Sequence, residues 1–468
     1  LGLKAPRAEG PAAEFSKLIR KEPKYETQEP FRGVARLGTQ QFGFALDCVP
    51  PKPGPAKSPP DAGTPPETKA AKKSDSAAKE KPKPGPAPAY NRLYFDLNHN
   101  GDLTDDKPIE AIQTPDRVFY PRNYAYSQFP RIDLTLDVAG VKVQYGFFMT
   151  AMRYSGGDFQ YVDVSITPGV YREGRITLEG KERRLVLIDF NSNGRFDDQA
   201  TTRSLGNDTR LYPSYGDVLV VDPSPPGVVA NPWDVTTSPD RHLVSKLVCL
   251  DGRFYELKIT PAGDRVTLEP SKAPVGTVTS RHEQFRALLY GDLGVVKVSA
   301  GKQPVPIPAG QWHLLSYTID MSAQRQRQRE EAAKKEPGKR TDQKPSAPAE
   351  GAWLQALARA LVGAPPGASP ARQIGPTLVS AAGIQSAAPI VVRKDGNTVL
   401  PFGPPYRPVV KIDYADPRRM DLSLTLTGAA GEVCTDLRID GGRPGEKPTF
   451  TIKDPKGQVV QEGSFEYG

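Results

Sequence analysis

Cysteine is scarce in this chain, with only Cys48, Cys249 and Cys434 among 468 residues. They lie far apart and fit no C-x-x-C pattern, which argues against a zinc ribbon or a thioredoxin-like redox centre. They read as small buried hydrophobes. In an oxidising compartment one long-range disulfide is open to them, and the odd count then leaves a thiol over. Histidine is nearly as rare. His99, His242, His282 and His313 show no mutual spacing for zinc, and His242 with Cys249 reads as two strand residues. No apolar run reaches the length of a membrane-spanning helix, so no transmembrane segment is expected. There is no G-x-S-x-G elbow, P-loop or dinucleotide fingerprint.

A one-signed charge field is also missing from most of the chain. The formal net charge is +8, which alone would invite a nucleic-acid partner. Residues 1–30, 50–89 and 321–350 contribute +1, +4 and +3, which is the whole excess. The remainder is neutral, so no specific nucleic-acid surface is expected. What the chain has in abundance is proline and glycine, 49 and 43 residues. At this length two to four domains are expected.

The order of segments reads as all-β: several antiparallel, sandwich-like domains with disordered Pro/Lys-rich insertions. Residues 1–30 form an N-terminal arm. FRGVARLGTQQFGFALD then reads as two strands around Leu37-Gly38-Thr39-Gln40. The tract 50–89 carries almost no apolar residues and sits between two strand patterns. It therefore reads as a disordered insertion in a β connection within a domain spanning 31–222. Hairpins are predicted at Ala139-Gly140, at Glu179-Gly180-Lys181 and at Asp251-Gly252. A second β domain is expected over 223–320. Residues 321–373 follow as a charged linker, helical or disordered over 321–350, with a short amphipathic helix carrying Trp353, Leu354, Leu357 and Leu361. Residues 374–468 show about eight short strands at sandwich spacing, immunoglobulin-like in style. Disorder is expected over 50–89 and 321–350, because neither tract buries enough apolar area to offset ordering entropy.

The most specific chemistry lies in two stretches, LYFDLNHNGDLTD and RLVLIDFNSNGRFDD. Asp96, Asn98, Asn100 and Gly101 match Asp189, Asn191, Asn193 and Gly194 in spacing. A hard cation such as calcium needs six to eight oxygens, and alternating side chains at positions 1, 3 and 5 supply them when a glycine at position 6 permits the reversal. In the second loop the Arg195 carbonyl and the Asp197 and Asp198 side chains would extend the set. In the first, the Asp102 carbonyl, Thr104, and Asp105 or Asp106 would do so. Asn-Gly pairs also mark ordinary hairpins, and Asp and Asn stabilise turns through their own side chains.

The D-x-N-x-N-G core is similar to the calcium loops of dockerins, thrombospondin type 3 repeats and EF-hands. It departs from the EF-hand at position 12, where Lys107 and Ala200 stand in place of a bidentate glutamate, and in following a strand rather than a helix. Over most of its length the chain resembles the exported multi-β-domain proteins of planctomycete-type bacteria. That resemblance implies export to the periplasm, cell surface or medium and a modular build. The signal peptide of such a protein would have been removed or trimmed here, since the chain begins at Leu1.

The leading expectation is therefore a non-catalytic, exported β protein with calcium-stabilised loops, serving envelope structure, adhesion or partner binding, with a protein or cell-envelope polymer as partner. The alternative is a hydrolase acting on polysaccharide or peptide with a site between β domains. Asp163, Glu256 and Asp320 are isolated carboxylates on strands, and the paired carboxylates of a glycosidase meet only in space. Tyr120, Tyr124 and Tyr126 form either a binding surface or a core loop. An aromatic-lined face would favour the binding module, and a deep cleft with two facing carboxylates the enzyme.

Overall fold

The computed structural model describes residues 3–4, 10–50, 89–112, 124–156, 159–205, 208–223, 238–335, 376–415, 420–439, 443–444 and 447–466. The chain is all-β, with strands in several antiparallel sheets and helix confined to Gly10–Leu18 and Ser322–Lys335 among the described residues. It divides into two compact units. The first comprises Leu1–Tyr171 with Ile188–Arg195, and the second Arg172–Leu187 with Phe196–Gly468.

Among the described residues the first unit holds two sheets. One orders Phe31–Leu37, Gln40–Asp47, Arg92–Phe95 and Ile109–Glu110. The strands on either side of 50–89 are antiparallel neighbours, with Phe44 opposite Phe95 and Asp47 opposite Arg92. Asn91 closes the connection by accepting from Val49 N at 2.7 Å and donating to Val49 O at 2.8 Å. The tract thus enters and leaves between paired strands; residues 51–88 themselves lie outside the described residues. The other sheet is built around the sixteen-residue strand Val141–Gly156, which pairs Ile132–Val138 with its first half and Tyr124–Gln128 with its second. Phe159–Pro168 pairs along its other edge. Alternation decides which face is inward: Phe147, Met149, Ala151 and Val164 are buried, as is Ser127.

The helix Gly10–Leu18 lays Phe15 and, one turn on, Ile19 against Val34, Ala45 and Tyr94 of the first sheet. Gly43 makes this contact close, since a Cβ there would overlap Ile19 Cγ1 and Cδ1. Gly43→Ala is expected to destabilise the unit by about 2 kcal/mol through overpacking. Gly174→Ala, where a Cβ meets nothing within 4 Å, should leave stability unchanged or slightly raised. Urea midpoints of the two variants check this, and equal midpoints would defeat the packing argument.

The second unit contains a nine-stranded sheet whose main path runs Gly294–Ala300, Phe285–Gly291, Gly310–Asp320, Pro376–Ala382, Val433–Ile439, Met420–Thr427, Arg407–Ala415. Strands before and after 321–375 are therefore direct neighbours, with Ser316 opposite Ala382 and Asp320 opposite Leu378. They share one core, in which Phe285, Trp312, Tyr317 and Ile319 pack with Ala381, Ile390 and Phe402. The predicted hairpins are present. Ala139-Gly140, Glu179-Gly180 and Asp251-Gly252 all have positive φ at both positions, the type I′ geometry that matches strand twist. The expectation of disorder over 321–350 is corrected at its start. Ser322–Lys335 is an α-helix, its first turn held by Asp320 Oδ1 accepting from Ser322 N at 2.9 Å and by Arg325 N donating to Met321 O. Residues 336–375, including the amphipathic stripe at Trp353 to Leu361, lie outside the described residues. No described helix is long and apolar enough to cross a membrane.

Candidate cation-binding loops

Both Asp/Asn loops begin where a core strand ends, and each buries its first carboxylate. Asp96 is 3% exposed and Asp189 0%. A buried carboxylate must be paired or hydrogen-bonded, and here the loop's own amides turn inward to it. Asp96 Oδ1 accepts from Asn100 N at 3.0 Å and Oδ2 from Gly101 N at 3.0 Å. Asp189 repeats this, with Oδ1 accepting from Asn193 N at 3.2 Å and Oδ2 from Gly194 N at 2.7 Å. The fifth residue continues the curl in both, as Asn100 Oδ1 accepts from Asp102 N at 2.7 Å and Asn193 Oδ1 from Arg195 N at 2.8 Å.

The backbone repeats as well. The fourth positions, His99 and Ser192, both have φ 60°, and the sixth, Gly101 and Gly194, have φ 77° and 79°. Glycine is required at the sixth for a second reason. A Cβ on Gly101 would stand 2.5 Å from Leu18 O, and one on Gly194 2.7 Å from Leu136 Cδ1 and 2.8 Å from Gly38 N. Each loop is thereby pinned to a neighbouring element. Gly101 O accepts from Arg20 N and Lys21 N just beyond the helix, and Asn193 O accepts from Gly38 N at the first hairpin turn.

The remaining oxygens differ. In the first loop Asp105 accepts from Asn98 Nδ2 at 3.4 Å and Asn100 Nδ2 at 2.6 Å, and Asp106 Oδ2 accepts from Leu97 N at 3.0 Å. Thr104 donates from both N and Oγ1 to Asp102 Oδ1. The Lys21 ammonium, 2.7 Å from Asp102 Oδ2, holds that carboxyl down to about 2. Burial, and then the neighbouring carboxylates Asp105, Asp96 and Asp102, push Asp106 above the usual range against the Leu97 N–H. Among the described residues no three His, Cys, Asp or Glu side chains stand together as a metal group. Besides its carboxylates the loop carries the amide oxygens of Asn98 and Asn100, and the Asn98 oxygen, already accepting from Asn100 N, keeps a second lone pair.

In the second loop Asp189 also accepts from Tyr145 OH at 2.6 Å. Burial pushes its carboxyl up to about 6 although that hydroxyl and the amides of 192, 193 and 194 favour the anion. Asn191 Oδ1 is buried without a hydrogen-bond partner. Arg195 lies in the first unit; Asp197 and Asp198 lie in the second, where Asp198 N donates to the buried Asp217 Oδ2 and Asp217 N returns to Asp198 O. Sequence reasoning missed Tyr145, Arg20 and Lys21, which lie 44 to 81 positions from their partners; nothing in local spacing marks them.

The other candidates fall elsewhere. Asp163 sits on Phe159–Pro168, Glu256 lies opposite Glu269, and Asp320 caps the helix Ser322–Lys335. His99 hydrogen-bonds Gln41 O and packs edge-on to Phe42, while His242 and Cys249 line a common cavity in the second unit. Tyr120 is outside the described residues. Tyr124 stands opposite Tyr154, which stands opposite Tyr161, so three tyrosines cross the sheet on the face away from the core. Their ring centroids are 4.8 and 5.3 Å apart. Tyr126 and Met152 form the next row. None of the three cysteines is in a disulfide. No family model matches the chain, and no curated protein or solved structure shows significant similarity to it.

Proposed function

We propose that the protein is a non-catalytic, exported β protein whose two Asp/Asn loops bind calcium and so fix strand connections, in the service of envelope structure, adhesion or partner binding. The observation that carries this reading is the repeat in three dimensions. Two stretches of matching sequence fold to the same inward carboxylate, the same amide bonds and the same two left-handed residues. The buried, partnerless oxygen of Asn191 adds a ligand atom at the third position of the second loop, where a cation would supply the missing contact. Amides among the ligands lower the charge of each site and favour the weaker affinities of extracellular modules. The tyrosine row gives the same unit an aromatic outward face, the feature expected of a binding module.

Calorimetric titration and thermal melts test it. Calcium at a hundredfold excess over its Kd should add about 2.7 kcal/mol per independent site, and chelator should remove the gain. Asp189→Ala should abolish one site's share. Magnesium should substitute poorly, because it demands a tight octahedron and holds its waters. If calcium neither releases heat nor shifts the melt, both loops are self-capped turns and the reading is wrong.

A further inference from the structure

A cavity of about 280 Å³ opens in the second unit, and no residue of the two loops lines it. It runs along Gly294–Ala300, the strand that ends the main path of the nine-stranded sheet, and five consecutive residues of that strand, 295 to 299, line it. The walls are largely apolar and include Val248, Phe254, Val296 and Val305, while His242 and Lys297 are the nitrogen-bearing side chains among the lining residues. An apolar pocket with a few converging polar groups is the usual form of a small-ligand site, and this volume lies at the lower edge of the common range of roughly 300–1,000 Å³.

Position and charge narrow the ligand. The Lys297 ammonium donates to the carbonyl oxygens of Ser238 and Arg241, the second at 3.0 Å, which fixes it at the cavity wall. Burial first, then Lys297, hold the His242 imidazole neutral, and Asp240 opposes them without reversing the result. Lys297 thus brings a cationic side chain to the lining, while His242 still offers one donor and one acceptor. We propose that this cavity binds a small amphipathic carboxylate, its hydrocarbon body against Val248, Phe254, Val296 and Val305 and its anionic head at Lys297 beside His242.

Octanoate is the probe and 1-octanol its neutral control, titrated by calorimetry into the full chain. The expected result is one octanoate bound with a Kd of roughly 0.1 mM, within reach of a ligand of about ten heavy atoms, and markedly weaker binding of the alcohol. Lys297→Met should weaken octanoate by about tenfold or more and leave octanol unchanged. Val305→Trp fills the space from a half-buried wall position and should abolish binding of both while the melting temperature stays near that of the parent, so the proposal stays testable if Lys297→Met does not fold. Failure of octanoate to bind, equal affinity for acid and alcohol, or binding that survives Val305→Trp would each overturn the proposal.

Discussion

Glu432→Ala should cost the second unit roughly 3–5 kcal/mol, because it deletes a buried acceptor and strands the donors that face it, each at about 1–3 kcal/mol. Glu432 is 1% exposed, and its carboxylate collects three donors from separate parts of the chain. Oε1 accepts from Gly403 N at 2.7 Å and from Tyr317 OH at 3.2 Å, and Oε2 from Ala430 N at 2.9 Å. Tyr317 in turn shares a hydrogen bond with Tyr406 OH at 3.1 Å. Burial raises the titration of both tyrosines and pushes the neighbouring Cys434 thiol up to about 12. Alanine would leave two backbone N–H groups buried without acceptors. Tyr317→Phe removes only one donor and should cost about 1 kcal/mol. Denaturant titration of both variants provides the test; a Glu432→Ala loss no larger than that of Tyr317→Phe would mean that water replaces the carboxylate.

That cluster shows where sequence reasoning stops. Strands and type I′ turns were legible because they depend on local pattern: alternation in IDLTLDV, and Gly after Asp, Glu or Ala at the reversals. The two matching Asp/Asn turns, Asp96 to Asn100 and Asp189 to Asn193, were legible for the same reason, since each spans five residues and closes on its own amides. Glu432 gave no signal. In GEVCTDLRID it looks like any solvent-facing strand residue, and only the approach of Tyr317 from Gly310–Asp320 and of Gly403 from the connection before Arg407–Ala415 makes it central. Tyr145 is the same case for Asp189.

The grouping of strands was likewise written in long-range pairing rather than composition. A charged tract such as 321–350 reads as a break between domains. Yet Pro376–Ala382 pairs with Gly310–Asp320 across it, because closing a long loop costs only logarithmically more entropy than closing a short one. Apolar burial by Ile319, Ala381 and Phe402 offsets that small increment. The tract 50–89 obeys the same rule and was recognisable, because the strand patterns flanking it are unmistakably β and abut it directly.

The remaining large effect is acid sensitivity at His242. Burial pushes its imidazole down to about 4, with Lys297 adding to the effect and Asp240 opposing it. The unfolded chain binds the proton near the ordinary value of about 6.5. Since the folded value is the lower one, the unfolded state holds more protons between the two, and stability there must rise with pH. The contribution is complete above about pH 6.5 and is lost progressively as pH falls toward 4. Across the full window it amounts to roughly 3 kcal/mol, because a tenfold difference in proton affinity is worth about 1.36 kcal/mol. His242→Gln keeps a polar group of similar size but cannot titrate. Urea unfolding at about pH 7.5 and 4.5 should show the parent losing roughly 2–3 kcal/mol more than the variant between the two conditions. Parallel losses would mean that the imidazole reaches solvent and titrates as it does in the unfolded chain.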